Sequence, residues 1–300
     1  MSHNTPVPYF HPLIVIAAVL ALVPYLVASF RSHRVGGIAR CLPSWAQILA
    51  PSLLAVPYGL VSLAAGTFNP LWLALYALLP PAIALIARLA PDNDRIVWPQ
   101  LLILAVLGLS VDLRWFERAW PPHLSVFNKV ILLDAGIYAF VALRPIAGAG
   151  FDLRLRFRDL STGLRELLFY LPIALTLGLA LLFLHVHPIT AHLVQLIGQF
   201  AAAWVFTFFF IAVPEELFFR GWLQNLLERR MGRTAALIVA SALFGLSHFN
   251  KRALHFNWRY VLLAAIAGIF YGRAWRRDRR VGASAVTHAT VDAAWSLFLR

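Results

Sequence analysis

Phe208-Phe209-Phe210-Ile211-Ala212-Val213-Pro214-Glu215-Glu216-Leu217-Phe218-Phe219-Arg220 places two adjacent glutamates and an arginine inside a strongly apolar run. A soluble protein would put such a run in its core, or such charges on its surface. The rest of the chain decides between these readings. Of its 300 residues, 61% are hydrophobic and 13% charged, against roughly 45–50% and about 25% in soluble domains. The chain is therefore read as an all-α, polytopic transmembrane helix bundle. In that setting an ionisable group is costly and faces a protein interior or a wet cavity, which marks it for function.

Ten apolar segments are legible: Pro12–Phe30, Trp45–Gly66, Pro70–Ala90, Ile96–Val111, Phe127–Leu143, Leu167–Leu184, Leu193–Leu227, Thr234–Phe249, Tyr260–Trp275 and Val281–Leu299. Several are at or below the roughly 17 residues a helix needs to cross, which gives eight to ten spans. Phe127–Leu143 carries Lys129 and Asp134 and is expected to be shielded by neighbouring helices. With both ends outside, eighteen basic side chains fall on inside positions and seven outside, the asymmetry of a cytoplasmic face. The first segment is long and lacks a basic leader, so it reads as a span rather than a cleaved signal.

The net charge of +13 belongs to loops and anionic headgroups. Basic residues scattered between apolar spans exclude nucleic acid as a partner, leaving the lipid bilayer. The single Cys41 excludes a disulfide framework and a thiolate metal site. The segment Phe151–Glu166 alternates apolar and basic residues and reads as an interfacial segment. It divides residues 1–166, a divergent N-terminal transmembrane region, from the core at 167–300. His185, His187 and His192 cluster in a loop with no acid or cysteine beside them and read as solvated.

Three polar groups stand out in the core. Glu216 and Arg220 are i,i+4 with the acid first, the favourable order for a helical ion pair. Glu215 points about 100° away. His248 lies 33 residues after Glu215. A turn near Met231-Gly232 would place both about 16 residues along antiparallel helices, at one depth. A carboxylate beside an imidazole suits proton abstraction from water. His288 and Asp292 are i,i+4 on the last helix, where the acid can fix the imidazole tautomer and the imidazole can face a developing negative charge. Gly268 and Gly272, beside Tyr271, allow close helix approach. His288 is only about 8 residues from its helix end at Arg280, so the three groups meet only if the Leu226–Arg233 tip projects.

These residues resemble the CPBP family of intramembrane endopeptidases, which includes CAAX prenyl endopeptidases and the bacterial Abi proteins. The motif EExxxR matches Glu215, Glu216 and Arg220; FxxxH matches Phe244 and His248; HxxxD, a variant of HxxxN, matches His288 and Asp292. The resemblance covers about Phe200–Leu299. It implies that Glu215 and His248 activate a hydrolytic water, that His288 and Asp292 form the oxyanion side, and that Glu216, Arg220 and Phe244 support them. It implies a membrane-associated protein or peptide substrate and an integral protein of a bacterial inner membrane. No cofactor is expected. A zinc reading would take Glu215, His248 and His288 as ligands, and the metal-free reading is preferred because the chain has no HExxH. Asp292 in place of asparagine complicates the oxyanion role, since an ionised aspartate accepts hydrogen bonds. The alternative function is a non-catalytic membrane protein of the same fold, acting in bacteriocin immunity or scaffolding. A proton-coupled transporter is disfavoured, because the acids gather at one site and no inverted repeat is visible.

Overall fold

The computed structural model describes residues 11–91, 97–186, 192–251 and 255–299. His187, Arg95, Ile96, Arg252 and Arg300, which the sequence reading used, lie outside the described residues. Among the described residues there are helices and no strand. Contacts divide the chain into two compact units, Met1–Ile146 and Ala147–Arg300.

The N-terminal unit contains α1 (Pro12–Cys41), then α2 (Ser44–Leu49), which runs through a 3-10 turn into α3 (Val56–Ala64). α4 (Pro70–Leu89) and α5 (Trp98–Asp112) follow, then α6 (Val126–Ile137), which continues as a π-helical turn to Leu143. Prolines at the first turns of α1, α3, α4 and α5 use positions where no backbone donor is lost. Its interior is aromatic. Tyr58 and Tyr76 stack at 5.2 Å, and Trp120 meets both edge-on. The polar tips are matched: Trp120 Nε1 donates to Tyr76 Oη at 2.7 Å, and Tyr76 Oη donates to Asn128 Oδ1 at 2.8 Å. The helix carrying Lys129 and Asp134 is well shielded, as expected, with 67% of its apolar window buried.

The C-terminal unit contains α7 (Phe157–Ala180), α8 (Leu193–Thr207), α9 (Val213–Glu216), α10 (Asn225–Leu246), α11 (Trp258–Asp278) and α12 (Val281–Phe298). From Leu193 to Leu246 the helix is nearly continuous, with π-helical stretches at Phe208–Ala212 and Leu217–Gln224 flanking α9. Pro214, at the start of α9, has no N–H and would crowd the carbonyl of the preceding turn. The widened turn before it relieves that clash. Such π insertions recur at functional sites, and this pair brackets Glu215 and Glu216. The reversal falls at Gly232, whose φ of 78° lies in the region glycine tolerates best. This is where the sequence reading put it.

Among the described residues six helices are long and apolar enough to cross a membrane, the sixth being the broken Leu193–Leu246 run. α5 is a shorter apolar helix. The molecule is a polytopic helical integral membrane protein.

The segment 151–166 lies inside the C-terminal unit, whose boundary at Ile146 is twenty residues before the division read from sequence. The physical reason is a set of buried contacts. Residues 151–156 have no helix, and α7 starts at Phe157, where Asp159 accepts from the Arg156 backbone N–H at 2.9 Å. Arg280 then ties Asp159 (2.7 Å) to the carbonyl of Arg154 (2.9 Å). Gly163 lets α7 meet α12: a Cβ there would lie 2.7 Å from Val286. Within the tip, Glu228 holds Arg276 at 2.8 Å and Arg279 at 2.5 Å. The tip is thus anchored at Glu228, and only the residues after it, 230–235, are exposed.

Candidate active site

Glu216 is the hub of the C-terminal unit. It is fully buried, and its Oε1 lies 3.1 Å from Arg220 Nη1 and 2.8 Å from His288 Nδ1. Ser284 donates to its Oε2 or to the carbonyl of Tyr271, 2.9 Å away. Arg220 is equally sealed, at 1% exposure, and its second amino group donates to the Gly268 carbonyl at 3.1 Å. Its guanidinium lies 4.4 Å from the Phe244 ring centre and 5.3 Å from that of Tyr271. A buried charge needs such saturation with partners, because one left unmatched costs several kcal/mol, roughly 3–5. Gly268 makes room for it: a Cβ would stand 3.2 Å from that amino group. Gly272 likewise admits Gln224 and Leu237, as the small residues were expected to do.

His288 is held on three sides. Its ring stacks on Tyr271 at 4.7 Å and 15°. Its Nε2 lies 3.5 Å from Asp292 Oδ2 and 3.9 Å from Glu215 Oε2. Both ring nitrogens therefore face carboxylate acceptors, and the ring acts as donor. His248 Nδ1 donates to the Phe244 carbonyl at 2.8 Å. That bond fixes the tautomer and leaves Nε2 with its lone pair. Glu215, Lys251 and His288 all lie within electrostatic reach of His248. Glu215 itself is more open than Glu216, with a side chain 27% exposed and Oε1 3.8 Å from Lys251 Nζ.

The structure therefore gathers every residue singled out in the sequence: Glu215, Glu216, Arg220, Phe244, His248, His288 and Asp292. An apolar cavity of about 180 Å³ adjoins them, lined by His248, His288 and Asp292 with Tyr170, Tyr260 and Trp295 among its walls. Some wiring differs from the sequence reading. Asp292 approaches Nε2 of His288, while Glu216 takes Nδ1, so the ring is oriented across helices rather than within one. Ser284 and Lys251 were not singled out as site residues. Both were within reach of the helical spacing rule: Ser284 is four residues before His288, and Lys251 three after His248. Among the described residues no group of three His, Cys, Asp or Glu side chains is arranged to hold a metal ion. The trio Glu215, His248 and His288 does not form a ready ligand set.

No curated protein and no solved structure matches the chain. Residues 197–294 match a protein-family model described as type II CAAX prenyl endopeptidase Rce1-like. That segment holds all three motifs, so this part of the chain is similar to the family to which they pointed.

Proposed function

We propose that the protein is an intramembrane endopeptidase that hydrolyses a peptide bond of a membrane-associated protein or peptide with a water activated by Glu215 and His248. The observation that carries this reading is the 3.9 Å approach of Glu215 Oε2 to His288 Nε2. The gap is longer than a hydrogen bond and short enough for one small reactant to touch both groups. In the reaction, Glu215 takes a proton from water as the water oxygen bonds to the scissile carbonyl carbon. His248 Nε2 orients the same water. His288 donates toward the carbonyl oxygen as it becomes negative, and Asp292 acts through His288 rather than on the oxyanion. When the tetrahedral species collapses, the C–N bond breaks and the proton on Glu215 passes to the leaving nitrogen. Glu216 and Arg220 keep the imidazole at its angle.

The matched family is described as CAAX prenyl endopeptidases, and the apolar cavity suits a lipid-facing or apolar stretch of substrate. No step of this reaction uses a metal, and the protein acts in a bacterial inner membrane. Comparative proteomics of membrane-protein termini tests it, with cells carrying the wild type, E215Q or H248A. The wild type alone should generate new termini, and a purified substrate should be cut about 10²–10⁴-fold more slowly by E215Q. A chelator should leave the wild-type rate unchanged. Full activity of E215Q would overturn the mechanism. It would favour the binding role of a non-catalytic relative, in immunity or scaffolding, only if no termini changed at all.

A further inference from the structure

Glu166 is a fully buried carboxylate shared by arginines from two helices. On α7, Arg165 Nη2 donates to its Oε1 at 2.6 Å, and from α11 Arg273 Nε stands 2.9 Å from its Oε2. The second contact is close but out of line, because that oxygen accepts no hydrogen bond among the described residues. One anion thus faces two cations, whose side chains are 43% and 46% exposed. Phe169 and Phe270 pack against the Arg273 guanidinium, with ring centres 5.9 and 5.4 Å from its Cζ. Rings take up the face of a guanidinium and leave the fork of N–H donors at its edge. Arg277, about 6 Å further along the same side of α11, is exposed and has no ion pair among the described residues. Arg158 and Asp278 pair at 2.7 Å where the two helices end. The α7–α11 seam therefore sets four arginines against two acids. The neighbouring face of α7 is apolar and open: Phe157, Leu164 and Leu168, at helical spacing, are all exposed.

We infer that the seam between α7 and α11 is a binding site for the phosphate of an anionic phospholipid, with Arg165, Arg273 and Arg277 as its donors. The charge asks for an anion, and the guanidinium fork matches phosphate geometry. The surroundings select a lipid. The excess of basic residues assigns this end of the helices to the inner leaflet, whose surface carries negative headgroups. Basic pockets between helices at that level are suited to such headgroups. The open stripe of Phe157, Leu164 and Leu168 lies on the same helix as Arg165, beside it, where an acyl chain would run. Free phosphate or an acidic peptide has no use for that stripe. Glu166 fixes the site from below: it holds Arg165 and Arg273 side by side and cancels only one of their charges. The inference is independent of the proteolytic reading, since none of the three arginines belongs to the reaction.

The test uses the full chain in neutral detergent micelles at about 0.15 M salt. Energy transfer from its tryptophans to a chain-labelled dansyl lipid reads binding, with phosphatidylglycerol against phosphatidylcholine. The wild type should prefer the anionic lipid. R165Q/R277Q should cut that preference about 25-fold, at about fivefold for each arginine. This variant leaves Arg273 on Glu166, so the buried acid keeps a cation, and an unchanged melting temperature checks the fold. R277Q alone breaks no ion pair and should lose about fivefold. R230Q/R233Q removes the same charge from the exposed tip and should leave the preference intact. Equal affinity of the wild type for the two lipids overturns the site. So does an equal loss in R230Q/R233Q, which would make the effect one of diffuse surface charge. Displacement of the labelled lipid by millimolar inorganic phosphate would assign the seam to free phosphate. Displacement by hexaglutamate would make it a docking face for an acidic protein. Either result overturns the lipid site.

Discussion

Asp134 in the N-terminal unit and Glu216 in the C-terminal unit are both buried carboxylates, at 2% and 0% exposure. Glu216 is met by Arg220, His288 and Ser284. Neither oxygen of Asp134 has a hydrogen-bond partner among the described residues. The buried side chains of the N-terminal unit that join in the Trp120, Tyr76 and Asn128 relay are neutral. Those gathered around Glu216 in the C-terminal unit are charged and shared. Two stretches of similar apolar composition thus treat buried polarity differently. A neutral relay ties helices together at little electrostatic cost. A charged network in an apolar interior persists only when its members saturate one another, and its persistence around one imidazole points to chemistry more than to structure.

That contrast is broken most sharply at Glu216. The E216A variant leaves the Arg220 guanidinium buried against Phe244 and Tyr271 without its anion. A loss of about 3–5 kcal/mol is expected, read as a fall in melting temperature and in the amount of protein accumulating in the membrane. The double variant E216L/R220M removes both charges at similar volume and should recover most of that stability, because the pair itself contributes little beyond not being broken. It should recover no cleavage, since His288 Nδ1 then has no acceptor to hold it. A double variant as unstable as E216A would mean that the network, not the unmatched charge, carries the stability.

Ser284 sharpens the comparison at a smaller scale. S284A removes a hydroxyl placed between Glu216 and the Tyr271 carbonyl, and the cost should be about 1 kcal/mol. Cleavage should fall a few-fold through kcat with KM unchanged, because the hydroxyl touches the hub and not the cavity. A change confined to KM would place Ser284 in substrate binding and contradict the wiring described here.

The sequence made the site unusually legible and the rest of the molecule much less so. Charge is so costly among apolar helices that Glu215, Glu216, Arg220, His248, His288 and Asp292 stand out, and the turn at Gly232 is legible from its place between Arg230 and Arg233. Partnership across helices was not legible. The i,i+4 rule paired Glu216 with Arg220 and His288 with Asp292, and both contacts exist. Yet Nδ1 of His288 goes to Glu216, from another helix, because helix packing through Gly163, Gly268 and Gly272 sets distances that spacing along one helix cannot. The π-helical turns on both sides of α9 were equally hidden: Pro214 announced a disturbance but not its form. The alternating pattern at 151–166 read as a boundary, and it packs inside the C-terminal unit because Asp159 and Arg280, 121 residues apart, pair there.

The smallest effect is expected at Asp134. A carboxylate whose oxygens find no donor among its neighbours contributes desolvation cost and no compensating bond. D134L keeps the volume and removes that cost, so the melting temperature of the full chain in nanodiscs should rise, by the equivalent of about 1 kcal/mol or more. Cleavage should stay within twofold of wild type, since no residue assigned to the reaction belongs to the N-terminal unit. D134N is the control that separates charge from polarity: an amide still needs partners, so it should gain less than leucine does. If D134L instead lost stability, a partner that donates to Asp134 would be required, and the contrast between a neutral aromatic relay and a charged network around Glu216 would fail at the residue chosen to define it.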